Sequence, residues 1–204
     1  MEKEQLIEKL IELEYEAFDK TRNVGGRAAC QNDWPTFYIM RKSQYLTWNV
    51  EMLESFLSDF EEANARGWNL ITEKYARMMK STNPVEYDQI KEILPVQSEW
   101  QKNVIEQIVE IQVGWMEEFS KEHPNVSSRA RVIHTAEDQV DDTSYETYLR
   151  GEIGTYSEET LAKYAAFIVG LAKEKKNLAE MIMQNTIELY GYSSFEEIKG
   201  LEWM

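Results

Sequence analysis

One cysteine, Cys30, is all the chain has, so no disulfide forms within it. Histidine is nearly as scarce. His123 and His134 are the only two, and without a Cys-x-x-Cys pair they exclude the ordinary four-ligand zinc sites. No Glu-x-x-His pair occurs, which removes the ligand pattern of di-iron helical bundles. The glycine signatures of dinucleotide sites, phosphate loops and nucleophile elbows are missing as well. The residues specify no metal and name no cofactor.

Long apolar runs are absent too. The longest, residues 165–172 (AAFIVGLA), falls far short of the roughly 20 residues that span a bilayer. The start, MEKEQL, has neither the basic nor the apolar region of a secretion signal. A cytoplasmic protein without a membrane partner is the expectation. Basic residues are few, 22 Lys and Arg against 37 Asp and Glu, for a net charge of −15. Such a field repels phosphate backbones, so nucleic acid is excluded as a partner.

What is present is hydrophobic and helical. Apolar residues make up 43% of the chain, with 6 Trp, 11 Tyr and 7 Phe, enough for one globular domain over residues 1–204. Period 3.6 dominates: Leu6, Ile7, Leu10, Ile11, Ala17 and Phe18 form one stripe, and Leu53, Phe56, Leu57, Phe60 and Ala63 another. Strand-like alternation is missing. The four prolines, Pro35, Pro84, Pro95 and Pro124, fall where stripes break. The fold class is all-α.

The chain also resembles itself. IEKLIELE at Ile7 aligns with IEQIVEIQ at Ile105, a shift of 98, and NVGGRA at Asn23 with NVSSRA at Asn125, a shift of 102. From Phe37 onward a shift of 108 holds, pairing TWNVEML with TYSEETL and YDQIK with FEEIK. The loop match is the informative one, because helical periodicity cannot produce it. These matches predict a helical bundle of two repeated units, about 1–95 and about 96–204, related by an approximate two-fold axis.

Within that pattern some polar residues stand where apolar ones belong. Glu14 lies on the stripe Ile7, Ile11, Phe18, and Gln112 takes the matching place on Ile105, Val109, Met116. Phe37, Met40, Arg41, Gln44 and Trp48 share a second face, whose counterparts include Tyr145, Tyr148, Glu152 and Tyr156. Each unit thus carries an inward Glu and an inward amide, Glu14 with Gln44 and Glu152 with Gln112. A buried carboxylate needs partners or an altered pKa. Two roles stay open: a hydrogen-bonded strut fixing helix register, or an acid/base group facing a polar cavity.

The least ordinary stretch is NVGGRAACQNDW, Asn23 to Trp34. Its two glycines are replaced by serines in the second unit, which favours close approach of another group over a required positive φ. Arg27 and Arg129 occur in both units. Each reads either as an ion pair tying the loop to the first helix or as an anion clamp. Cys30 could meet His134 and Asp138 if the loops converge, a nucleophile arrangement set against the plainer reading of a small hydrophobe. The weak catalytic candidates are Glu14, Cys30, His134 and Glu152; the reaction, if any, is unspecified.

NxGGRAxCQ (Asn23, Gly25, Gly26, Arg27, Ala28, Cys30, Gln31) and MRxSQ (Met40, Arg41, Ser43, Gln44), with NLITEKYARMM and SYETYLRGEIGTYSEETL, resemble a bacterial family known as domain of unknown function 4125. The resemblance covers nearly the whole chain and implies a region of interest without a chemistry. The combined expectation is a polar cleft between the units that takes a small anionic or aromatic ligand. Its ligand-binding residues would be Arg27, Gln31, Asp33, Trp34, Arg41, Gln44, Trp48, Arg129 and Arg150. The alternative is a protein-interaction or regulatory module without catalysis, using exposed aromatics such as Trp100, Trp115 or Trp203.

Overall fold

The computed structural model describes residues 1–22, 26–127, 130–140 and 142–198. Among them are ten α-helices and no strand: α1 (Lys3–Asp19), α2 (Trp34–Tyr45), α3 (Val50–Ala65), α4 (Leu70–Thr82), α5 (Pro84–Ile90), α6 (Glu99–Glu122), α7 (Pro124–Ser127), α8 (Tyr145–Ile153), α9 (Glu158–Lys173) and α10 (Leu178–Leu189). Short 3-10 turns occupy Ala29–Asn32, Lys91–Ile93 and Thr135–Glu137. The all-helical reading of the sequence holds.

Helix starts follow from short polar caps that satisfy otherwise unpaired amides. Asn49 accepts from the Met52 amide at 2.9 Å, Ser144 from Thr147 at 3.2 Å and Ser157 from Thr160 at 3.2 Å. Asp33 caps α2 with Pro35 in its first turn, where a missing N–H costs nothing. Asn69 and Asn177 do two jobs each. Asn69 caps α4 and donates to the Ala17 carbonyl at 2.8 Å, while Asn177 caps α10 and donates to the Trp115 carbonyl at 2.8 Å. The turns before them pass through left-handed backbone at Gly67 (φ 68°) and Lys175 (φ 56°).

Both predicted stripes are buried, from Leu6 to Phe18 and from Leu53 to Ala63. α1 packs on α2, α3 and α4; α6 packs on α8, α9 and α10. Between these groups α3 meets α9, α4 meets α8, and α2 meets α10. An aromatic centre joins them: the Trp48 ring lies 5.6 Å from Phe56, 6.1 Å from Tyr156 and 5.6 Å from Tyr164. Met40 departs from the predicted face and is 44% exposed, because it sits about 100° around the helix from buried Arg41.

Candidate functional site

The loop motif comes first, because its polar groups have identifiable work. The last carbonyls of a helix lack intrahelical donors. At the end of α1 they are met by the loop. Gln31, fully buried, donates through Nε2 to the carbonyls of Phe18 (2.7 Å) and Thr21 (3.0 Å) and accepts from the Ala28 amide through Oε1 (2.8 Å). Arg27 pairs with Asp19 through Nη2, which also donates to the Gln31 carbonyl (2.8 Å), while its Nε donates to Asn32 Oδ1 (2.8 Å). Tyr15 adds a bond from its hydroxyl to the same carbonyl at 3.0 Å. Arg27 therefore anchors the loop to α1 through Asp19, at the helix end, and not through Glu14.

The glycine expectation needs correction. Gly26 sits at φ +92° with open space where a Cβ would stand, so turn geometry and not close approach calls for glycine there. Asn23, Gly25, Arg129 and Trp203 lie outside the described residues. Trp34 is 38% exposed and packs its ring edge-on at 4.7 Å from Tyr15. An open hollow beside the loop is lined by Asp19, Lys20, Thr21, Arg22, Gly26 and Arg27.

The inward polar residues of the sequence do turn inward, and they find one another. Arg41, 7% exposed, is the hub. Its Nε and Nη2 donate to the two oxygens of Glu14 at 2.6 and 2.8 Å, and its Nη1 lies 3.2 Å from Glu152 Oε2. Tyr45 donates to Glu14 at 2.6 Å. Glu152 also receives Gln44 Nε2 at 2.9 Å and Lys74 Nζ at 2.8 Å. Two carboxylates and two cations thus balance inside the core. The amide of Gln44 serves Glu152 of the distant helix α8 instead of Glu14. Gln112 stands apart, donating to the Tyr164 hydroxyl at 3.0 Å.

Electrostatics follow from that geometry. Burial alone would raise the Glu152 carboxyl, but Arg41 and Lys74 outweigh it and hold the group well below the usual carboxylate range. Burial would likewise lower Arg41 and Lys74, and the facing carboxylates reverse that, raising both. Glu152 is locked as an anion with its oxygens occupied, the geometry of a strut. Trp48 lies in the aromatic centre at 1% exposure, closed to a stacking ligand. Arg150 spans Glu106 and Glu146 at 2.8 and 2.7 Å.

Cys30, His134 and Asp138 are not assembled into a nucleophile set. His134 Nε2 lies 3.0 Å from Glu117, and Asp138 accepts from Ser81, from the Ser144 amide at 2.7 Å and from Thr147 at 2.6 Å. Each acid and base is already engaged locally, while Cys30 is exposed.

Sequence reasoning missed Lys74, Tyr45, Tyr75 and Arg131. Lys74 had a legible signal: it falls four residues after Leu70 and four before Met78, on the buried face of α4. Its ammonium lies 3.7 Å over the Tyr148 ring, and Arg131 stacks on that ring at 5.0 Å. Among the described residues no cluster of His, Cys, Asp and Glu could hold a metal ion, and no helix is long and apolar enough to cross a membrane.

No curated protein and no solved structure matches the chain. One family model does, described as "Protein of unknown function (DUF4125)"; it matches residues 4–200, and the chain belongs to that family.

Proposed function

We propose that this protein binds a small anionic or aromatic ligand in a polar cleft between two related helical units. The cleft lies where the loop carrying Cys30 nears the stretch before Thr135–Glu137. One observation carries the reading. Cys30 from the first loop and Arg131 from the second both lie within electrostatic reach of Tyr75 on α4, beside the end of the buried ion network. On this reading the two polar loops come together over α4, and a ligand held there would touch both.

Relatedness of the units is supported by bonds that recur. Gly67 and Lys175 take the same left-handed turn, and Asn69 and Asn177 the same double role. Thr47 and Thr155 each donate to the carbonyl three residues back, at 2.6 and 2.7 Å. Gln44 and Glu152 stand 108 positions apart, the spacing of these other pairs, and bond each other directly. Two equivalent positions that touch lie close to a two-fold axis. On this reading the protein works in the bacterial cytoplasm, without nucleic-acid or membrane partners.

The test is a thermal-shift screen of a metabolite library on the wild type, followed by amide-resonance mapping of each hit. Hits that perturb Cys30, Tyr75 or the 130–134 stretch support the cleft. A screen with no hits, or hits mapping elsewhere, rejects it. A second reading, a protein-interaction module, has its own observation: Val85, Ile93, Val96 and Trp100 are exposed along the segment from α5 into α6. Mapping of a partner to that segment would favour it.

A further inference from the structure

The ion network ends at a group of side chains that the loop motif does not account for. Tyr148 on α8 carries two cations on its ring, Lys74 at 3.7 Å and Arg131 at 5.0 Å. Tyr75 stands next to Lys74, whose ammonium is 6.0 Å from its ring centre. Neither tyrosine hydroxyl exchanges a hydrogen bond with a described residue, though both side chains are half-buried. Burial, together with Tyr148, pushes the Tyr75 hydroxyl up to about 12, so it remains a donor at neutral pH.

Arg131, like Arg22 and Arg66, enters no ion pair with a described residue. Arg27, Arg41, Arg77 and Arg150 each pair with a carboxylate. Arg131 donates only to the Thr143 carbonyl, at 3.2 Å, and meets no carboxylate among the described residues. A guanidinium has five N–H donors in a planar fork, so most of its donors have no partner among the described residues. Lys74 and Arg41 are balanced by Glu152 and Glu14. Within this group, and among the described residues, the cation without a carboxylate partner is Arg131.

We propose that Arg131, Tyr75 and Tyr148 form an oxyanion site that takes the carboxylate of a small, flat organic acid. The fork of Arg131 matches a carboxylate edge, the two hydroxyls are free to donate, and the single charge suits a monoanion over a doubly charged phosphate. A flat body could stack against the exposed part of the Tyr75 ring. This site rests on the ligand-binding reading above and identifies the anionic end of that ligand.

The experiment is calorimetric titration of the full chain with benzoate, acetate and inorganic phosphate, on wild type, Arg131→Gln and the Tyr75→Phe/Tyr148→Phe double variant. Benzoate should bind the wild type more tightly than acetate or phosphate, and both variants should weaken it about tenfold or more. The melting temperature of Arg131→Gln should stay near wild type, because its exposed side chain makes one hydrogen bond. Benzoate binding that survives Arg131→Gln, phosphate binding that exceeds benzoate, or no benzoate binding at all would each overturn the site. In those cases a metabolite-screen hit mapping to Cys30 or Tyr75 would leave the broader ligand reading standing. A screen without such a hit would remove both.

Discussion

Replacing Arg41 with methionine is the sharpest perturbation of this core. Arg41 makes two bonds to Glu14, one ion pair to Glu152 and further bonds to Gln44 and Tyr45 at 2.9 Å. In Arg41→Met, Glu152 keeps Lys74 and Gln44, but Glu14 keeps only the Tyr45 hydroxyl. A carboxylate that is 2% exposed is then left without a counter-charge. Breaking a buried pair in this way costs about 3–5 kcal/mol. For a chain of this size that is a fall in Tm of roughly 6–20 °C. Urea denaturation and calorimetry at pH 7 measure it. Adding Glu14→Gln should recover about 1 kcal/mol or more, since the stranded charge is gone.

The same network sets a pH dependence with a defined sign. Glu152 is depressed in the folded state relative to an unfolded value near 4.3. A depressed carboxyl contributes stability that is fully present above the unfolded pKa and lost as pH falls toward the folded one. Glu152→Gln should therefore be destabilised at pH 7, with the gap to wild type narrowing below about pH 4. An Arg41→Met variant that loses less than about 1 kcal/mol, with an unchanged acid profile, would refute the argument that these charges depend on one another.

Three further outcomes follow from local geometry. Gln31→Ala removes the donor to two helix-end carbonyls and the acceptor for Ala28, and should cost about 2–4 kcal/mol in chemical denaturation. Gly151→Ala places a Cβ 2.6 Å from Met78 Cγ and 3.0 Å from the Lys74 carbonyl where α8 crosses α4, so a loss of about 1–3 kcal/mol is expected by calorimetry. Lys175→Gly relieves left-handed backbone at φ 56° and should raise stability by up to about 1 kcal/mol, read as an upward shift in Tm.

Much of the helical layout was legible in the chain. The stripes on α1 and α3 identify their buried faces because a helix repeats every 3.6 residues, and that period is written locally. Asn, Ser and Asp at helix starts are equally local, since a cap bonds an amide two or three residues away. Glu14, Gln112 and Glu152 could be named as inward for the same reason. Their partners could not. Arg41 reads as inward without any local sign that Glu14 and Glu152 are its partners, and Lys74 lies on the buried face of α4 with nothing nearby in sequence to mark Glu152.

The composition and periodicity of the chain decided that it is helical and which faces turn inward. Only tertiary structure decided that Gln44 serves Glu152 across 108 residues and that Lys74 and Arg131 share one tyrosine ring. It also decided that Arg27 and Gln31 staple the end of α1. The physical reason is one of range. Helix propensity and capping act over a few residues, whereas the pairing of buried charges depends on the angles and distances at which separate helices pack, and no local pattern encodes those.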